Sequence, residues 1–183
     1  GRINKFHEKI NSLININGYY ISCCETMEMR NKRLFNNKLP ILKSIYFVYD
    51  FLLNRAIPRI SYLNKVYFFL GGKKYRVLSR AEALGRLVSC GYEIIHCFED
   101  EGLYYIVAKK ISTPLFKKSS YGPLFKMSRV GKNGKTIYVY KFRTMHPFSE
   151  YLQQYIRDNH GYGENSHKLK DDFRITHWGK FFR

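Results

Sequence analysis

Acidic residues are nearly absent from two long stretches of this 183-residue chain. Between Met29 and Ala81 there are twelve Lys or Arg and one acid, Asp50, and between Gly102 and Ser149 there are ten Lys or Arg and no acid. The net charge is +18. Such one-signed stretches give a positive surface field, which favours an anionic partner: nucleic acid, an anionic membrane face or a phosphate-bearing substrate.

The chain is also poor in cysteine and has no long uninterrupted apolar run. Its four cysteines, Cys23, Cys24, Cys90 and Cys97, lack the paired spacing of a metal site, and we expect them to be reduced and mostly buried. No signal peptide is found at the start of the sequence, which begins at Gly1 rather than Met; we therefore expect processing, a tag remnant or a fragment. The most apolar segment, between Pro40 and Pro58, has helical periodicity but is too short and too charged to span a membrane. It predicts a core helix or an interfacial one.

What is present predicts an α/β (α+β) fold. GYYISCC, from Gly18 to Cys24, predicts a strand, followed by a polar basic connection. Ser79 and Glu82 form a capping box that predicts a helix from about Arg80, ending before Gly91. EIIHCF and LYYIVAKK predict a hairpin around Asp100-Glu101-Gly102.

These elements weakly resemble the end of a methyltransferase-like α/β domain, a remnant of a Rossmann-like sheet with helices, in GYYISCCET and SRAEALGRLVSCGYEII. The glycine-rich cofactor loop of that class is absent, so we assign no cofactor site there. The resemblance implies that residues 1–110 are this remnant, and the Pro-, Ser- and Lys-containing stretch 111–120 is predicted to be a linker to a separate part, 121–183.

The sequence of residues 121–183 predicts a β-hairpin followed by helices. LFKMSRV and TIYVYKF flank GKNGK, and Asn133-Gly134 is the dipeptide of a tight turn in which both residues have positive φ. Strand alternation places Lys141 and Arg143 on one face, with Tyr140 and Phe142 directed towards a core. EYLQQYIRDNH, after Ser149, predicts a helix.

The string GP-x-F-x-x-x-R-x-G-x-x-G ending in KFRTM, followed by D-x-R-I-T-x-x-G-x-x-x-R, resembles the bacterial sugar transferase family. The matching positions begin at Gly122 and end at Arg183. The resemblance implies a phosphoglycosyl transferase that passes a sugar phosphate from a nucleotide sugar to a polyprenyl phosphate in cell-surface polysaccharide biosynthesis. It also implies magnesium as the cofactor of the complete enzyme, and a peripheral location at the cytoplasmic face of the bacterial inner membrane.

Two departures from the family pattern bear on activity. ISTPLFKKSS, residues 111–120, stands where the family has a membrane-inserted segment. The family's Ser-Leu-Asp-Glu-Leu-Pro-type motif, with the nucleophilic Asp and the magnesium-holding Glu, would follow Arg183. We therefore assign no catalytic residue and no metal ligand, and we expect this chain alone to be inactive.

Phosphate recognition is the chemistry that the remaining residues suit. Arginine meets phosphate oxygens with a planar fork, and cations stabilise charge that develops during phosphate transfer. Lys141, Arg143 and Arg183 are the predicted phosphate ligands, the last by its alignment with a family arginine. Arg129, Lys132 and Lys135 are possible anion or lipid contacts. Asp172 is expected to pair with Arg174, and His146 to be a turn residue.

Two other functions stay open at this stage. The high pI near 9.8 and the many tyrosines and phenylalanines also suit a nucleic-acid-binding module, although the GKNG loop joins strands rather than helices. A catalytically silent membrane-surface scaffold derived from the transferase is the other alternative.

Overall fold

The computed structural model describes residues 2–35, 77–115, 124–160, 172–176 and 179–180, with positions 45, 48, 49 and 69. Its helices are α1 (Arg2–Leu13), α2 (Met27–Phe35), α3 (Arg80–Ser89) and α4 (Gln153–His160). Its strands are β1 (Tyr19–Cys24), β2 (Tyr92–Asp100), β3 (Leu103–Lys110), β4 (Leu124–Val130) and β5 (Thr136–Phe142). Short 3₁₀ turns cover Lys132–Gly134 and Ser149–Leu152. The mixture confirms the predicted α+β class.

Two sheets are formed by these strands. One has the order β1-β3-β2, and the other consists of β4 and β5. The predicted strand in Gly18–Cys24 and the hairpin between β2 and β3 are confirmed. The hairpin turns through Glu101 (φ 44°) and Gly102 (φ 76°). Gly91, at φ 86°, follows the predicted helix α3 as its C-terminal glycine.

The chain divides into two compact units. One contains Gly1–Ser22, Arg80–Cys97 and Ile106–Arg183, and the other contains Cys23–Ser79 and Phe98–Tyr105. The predicted parts 1–110, 111–120 and 121–183 concern family resemblance rather than contacts, and they stay a prediction.

The core of the first unit forms around α3. Leu84, Leu87, Tyr92, Ile106, Leu152 and Ile156 are all buried. Helix α1 is tied to this core by Asn11, whose side-chain amide donates to the carbonyls of Cys90 (2.9 Å) and Ser112 (3.0 Å). The ammonium of Lys110 donates to the carbonyls of Asn11 (2.7 Å) and Ile14 (2.8 Å), which satisfies the C-terminal end of α1. The family-like C-terminal part and the N-terminal helix therefore share one unit.

A helix, α2, follows β1 where we expected a polar basic connection. Helix α2 follows Thr26, whose hydroxyl accepts a hydrogen bond from the Met29 amide at 3.3 Å, as an N-cap does. Glu28 in its first turn, with Lys32 and Arg33 in its last, suits the helix dipole. The predicted helix between Pro40 and Pro58 lies outside the described residues, apart from Ile45, Val48 and Tyr49, which are helical and exposed.

The four cysteines are free thiols, as expected. The expectation that most are buried is wrong: Cys90 is buried, Cys24 and Cys97 are half-buried, and Cys23 is exposed. Cys23 lies on β1, where exposed and half-buried residues alternate, so strand geometry turns its side chain outward.

Within the part of the chain that the structure describes, no helix is long and apolar enough to cross a membrane.

Candidate functional site

The β4–β5 hairpin carries most of the predicted anion-binding residues. Its strands pair antiparallel from Leu124↔Phe142 to Val130↔Thr136. At its tip Asn133 (φ 59°) and Gly134 (φ 73°) both have positive φ, as the dipeptide predicted. The amide of Gly131 donates to the carbonyl of Lys135 at 2.8 Å, which closes the loop. The strand register, and hence the direction of each cation, is fixed by this turn.

The structure brings Lys141 and Arg143 to the same neighbour, Phe125. Lys141 is the cross-strand partner of Phe125, so their side chains share one face of the hairpin. The guanidinium carbon of Arg143 lies 5.2 Å from the centroid of the Phe125 ring, a cation–π contact. Lys141 is exposed and Arg143 is half-buried. An anion in front of Phe125 would therefore meet one mobile ammonium and one oriented fork.

Partial burial changes the electrostatics of Arg143. Desolvation lowers the pKa of its guanidinium, and the carboxylate of Glu150 opposes this shift. An arginine stays protonated in proteins in spite of such shifts. Its charge is therefore fixed but incompletely hydrated, and this strengthens its attraction for a phosphate oxygen.

The prediction that Tyr140 and Phe142 face a core is wrong. Their side chains are 61% and 63% exposed. Strand alternation does turn them away from Lys141, but a two-stranded sheet has no second layer of its own to cover that side.

The two family-like segments, KFRTM and D-x-R-I-T, lie side by side. Met145 and Ile175 form an antiparallel bridge. The amide of His146 donates to the carbonyl of Arg174 at 2.7 Å, and the amide of Thr176 donates to the carbonyl of Thr144 at 2.8 Å. The Thr176 hydroxyl adds a second hydrogen bond to the Thr144 carbonyl, at 3.0 Å. The chain directly after Arg143 is thus held by main-chain bonds.

A buried ion pair stabilises this junction. Asp172 and Arg174 are 7% and 5% exposed, and the Arg174 Nη2 lies 2.7 Å from the Asp172 Oδ2. The same carboxylate accepts from the Nε (2.9 Å) and the main-chain amide (3.0 Å) of Arg174. The Nη1 donates to the side chain of Gln153 on α4 at 3.0 Å. The predicted pairing of Asp172 with Arg174 is confirmed; the role of Gln153 had no signal in the sequence.

His146 begins a tight turn, as predicted, and is itself buried. Its carbonyl accepts hydrogen bonds from the amide (3.3 Å) and hydroxyl (2.5 Å) of Ser149. Phe148, within the turn, has a positive φ of 66°. This turn connects the junction to the 3₁₀ turn Ser149–Leu152.

Helix α3 supports that turn from outside the family-like string. The guanidinium carbon of Arg86 lies 4.5 Å from the centroid of the Phe148 ring, and its Nη2 is 2.6 Å from the Glu82 carboxylate. A Cβ on Gly85 would meet the carbonyl of Phe148, so glycine permits a close approach. Glu82 and Arg86 are four residues apart and therefore share one helical face, but no pattern in the sequence indicated the contact with Phe148.

The other predicted site residues are less closely tied to this arrangement. Arg129 is exposed on β4, on the face of Lys141, and Lys132 and Lys135 are exposed at the hairpin tip. Arg183 lies outside the described residues.

The acidic groups near the site do not fit a magnesium site. Asp172 is buried and committed to Arg174. Among the residues with described positions, no three His, Cys, Asp or Glu side chains are grouped so that they could hold a metal ion.

These features define an α+β protein with a basic hairpin, on which Arg143 contacts the Phe125 ring, and with a buried ion pair, Asp172–Arg174, beside the segment that follows Arg143. Residues 103–183 match the family model described as bacterial sugar transferase. The predicted resemblance to this family is therefore confirmed for this part of the chain. The matched range includes strand β3 and the β4–β5 hairpin. It therefore starts before Gly122, where the resemblance in the sequence begins.

A curated relative gives the same indication. The galactosyl transferase CpsE of Streptococcus agalactiae serotype III (strain NEM316) is 36% identical over 70 residues. That alignment covers 38% of this chain and 16% of the relative, so the chain spans a small part of the relative's length. No solved structure matches the chain significantly. The resemblance of residues 1–110 to a methyltransferase-like domain stays a prediction.

Proposed function

We propose that this chain contributes the donor-phosphate-binding part of a phosphoglycosyl transferase. The reaction would move a sugar 1-phosphate from a nucleotide diphosphate sugar to a polyprenyl phosphate, in the synthesis of a cell-surface polysaccharide. The observation that carries the proposal is the position of Arg143, stacked on Phe125 next to Lys141 in the segment that matches the family model.

The two cations would have different roles. Arg143 has a planar fork that can meet two oxygens of one phosphate, and its stacking on Phe125 restricts the directions that the fork can take. A donor preorganised in this way costs little reorganisation when charge develops on the transferred phosphate. Lys141 is exposed and flexible, so we propose that it neutralises the pyrophosphate as a point charge. Arg183 remains a proposed third phosphate ligand.

The family resemblance assigns the chemical step to an Asp-Glu pair, with magnesium expected at the Glu. The motif that carries this pair is not found among the 183 positions. We propose, for this reason, that the chain alone binds donor without turning it over. Magnesium would neutralise the departing nucleotide phosphate in the complete enzyme.

We further propose a peripheral position at the cytoplasmic face of the inner membrane, where a polyprenyl phosphate is available. The support for this is electrostatic. The stretch from Gly102 to Ser149 contains ten cations and no acid, and each Lys or Arg near an anionic bilayer contributes about 1 kcal/mol of binding. High salt is expected to release such a protein from membranes.

Donor binding is the measurement that tests the proposed activity. UDP-galactose is the first probe, because the relative is named a galactosyl transferase. Calorimetric titration of the chain with UDP-galactose, UDP-glucose and GDP-mannose is expected to give saturable binding of at least one of them. The control ligand is a single-stranded RNA whose charge is matched to that of the nucleotide sugars. Saturable binding of RNA alone, with no nucleotide sugar bound, would refute the proposal and favour a nucleic-acid-binding module. Release of UMP by the chain alone would refute the assignment of the chemical step to other residues.

A further inference from the structure

One face of the β4–β5 hairpin exposes an unusual set of side chains. Cross-strand partners share a face, so the register assigns every second residue of each strand to it. We call it the aromatic face; its apolar and charged members are Leu124, Lys126, Val130, Tyr138, Tyr140 and Phe142. The apolar members are all open to solvent, from 49% for Leu124 to 83% for Val130.

The opposite face is more covered although it is the more cationic. Phe125, Met127 and Val139 on that face are half-buried, and it also presents Arg129 and Lys141. A solvated hairpin is expected to show the reverse, with its polar side chains on the open face. A contiguous exposed apolar patch on one side of a sheet indicates an interaction surface.

The aromatic face combines exposed rings with a nearby positive charge, an arrangement that suits the headgroup region of a lipid bilayer. Among the residues of β4 and β5 on this face, Lys126 is the one that carries a charge. Its ammonium lies 3.8 Å from the centroid of the Tyr138 ring, a cation–π contact on this face. The tip of the hairpin adds two exposed cations, Lys132 and Lys135. With no acid between Gly102 and Ser149, nothing in the local sequence repels an anionic surface.

We propose that the aromatic face rests on an anionic lipid bilayer, with its tyrosine and phenylalanine rings at the headgroup level and Lys126 paired with lipid phosphate. Tyrosine rings with a polar end and an apolar body prefer this interface, and basic residues beside them add attraction to anionic lipids. The proposal rests on the peripheral membrane location proposed above and adds the surface that makes the contact.

Two members of the face favour lipid over nucleic acid. Leu124 and Val130, towards the two ends of β4, are aliphatic and exposed. Single-stranded nucleic acid is bound through aromatic stacking and a cationic groove, to which aliphatic side chains contribute no ring. The hydrocarbon boundary of a bilayer accommodates both aromatic and aliphatic groups. The aromatic face also leaves the opposite face, with Lys141 and Phe125, available to a soluble nucleotide sugar.

Flotation with vesicles tests the surface, using two matched pairs of variants. Lys126→Glu and Arg129→Glu change the net charge equally on one strand but lie on opposite faces. Tyr140→Ser and Ile137→Ser remove exposed apolar side chains from opposite faces. Each variant is mixed with vesicles of phosphatidylcholine, with and without phosphatidylglycerol, and circular dichroism verifies that it is folded.

The expected result is a face-dependent loss of binding to the phosphatidylglycerol vesicles. Lys126→Glu should lower the partition coefficient about fivefold more than Arg129→Glu, because one close lipid contact is lost and reversed. Tyr140→Ser should lower it about tenfold, and Ile137→Ser about twofold or less. Equal losses within each pair would show a diffuse positive field and overturn the proposal. Retained vesicle binding, with binding of single-stranded RNA lost in Tyr140→Ser, would overturn it in favour of a nucleic-acid surface.

Titration with UDP-galactose separates this proposal from the proposed activity. The aromatic-face variants should bind the nucleotide sugar like the unchanged chain, since the opposite face carries the phosphate ligands. Normal donor binding together with face-independent vesicle binding would refute the lipid surface and leave the transferase proposal standing.

Discussion

The carboxylate of Asp172 holds the guanidinium of Arg174 in a two-point contact, from Nε to Oδ1 at 2.9 Å and from Nη2 to Oδ2 at 2.7 Å. Both residues are buried, and the carbonyl of Arg174 accepts a hydrogen bond from the main-chain amide of His146. A side-chain pair therefore fixes the backbone that lies beside the KFRTM segment. The charge of Asp172 therefore has a structural use.

Replacing Asp172 by asparagine should destabilise the protein by about 3 kcal/mol or more. The variant leaves a buried guanidinium without its counter-charge, which is the costly way to break a buried pair. Urea unfolding monitored by circular dichroism measures the change. Asp158→Asn is the matched control, because Asp158 is exposed on α4 and accepts one hydrogen bond from Gln154. It should cost about 0.5 kcal/mol or less. Similar losses for the two variants would contradict a structural role for the Asp172 charge.

Local signals in the sequence were sufficient for several elements. The Asn133-Gly134 dipeptide, the capping box at Ser79 and the segment GYYISCC are each patterns of neighbouring residues, and the structure contains the turn, the helix and the strand that they predict. The exposure of Tyr140 was missed because alternation shows which side chains share a face, not whether another element covers them. The packing of α3 on Phe148 was missed for a related reason. This packing joins residues that are far apart in the chain, and the spacing of neighbouring residues cannot indicate such a contact.

Because α3 packs closely on Phe148, we expect the substitution Gly85→Ala to have an unusual effect on stability. Gly85→Ala would normally stabilise a helix by about 1 kcal/mol. Here the new methyl group would meet the carbonyl of Phe148, and the turn beyond it would have to move. We expect a net loss of about 1 to 3 kcal/mol in the free energy of unfolding, as overpacking usually produces.

Asn159→Ala is the control for helix propensity alone, since Asn159 is exposed on α4. It should change the free energy of unfolding by about 0.5 kcal/mol or less. A Gly85→Ala protein more stable than the unchanged chain would show that the helix and the turn do not pack as described.

His7 predicts a loss of stability in mild acid. It is buried on α1, where desolvation and then the nearby charge of Arg86 lower its pKa from 6.5 to about 4. In the unfolded chain the imidazole of His7 becomes protonated as the pH falls below 6.5. In the folded chain it stays neutral until about pH 4. The contribution of neutral His7 is therefore complete above pH 6.5 and is lost as the pH falls towards 4.

The expected loss at His7 is about 2 to 3 kcal/mol between about pH 7.5 and about pH 4.5. It is measured as the difference between the unfolding free energies of the unchanged chain and His7→Gln at each pH. That difference should shift in favour of the variant as the pH falls. His96→Gln, at an exposed position on β2, controls for the loss of a histidine. A difference that does not change with pH would mean that folding does not shift the pKa of His7.

Arg143 provides the sharpest test of the phosphate site. Arg143→Lys keeps the positive charge but loses the planar fork and its stacking on Phe125. If the fork meets two donor oxygens, the variant should bind UDP-galactose about ten- to a hundredfold more weakly, which corresponds to one charged hydrogen bond. Lys135→Ala removes a full charge at the hairpin tip, where water and salt screen it, and should weaken binding about twofold or less. Titration calorimetry at two salt concentrations measures both variants. A larger effect of Lys135→Ala than of Arg143→Lys would mean that net charge, rather than guanidinium geometry, attracts the donor, and the site at Phe125 would have to be abandoned.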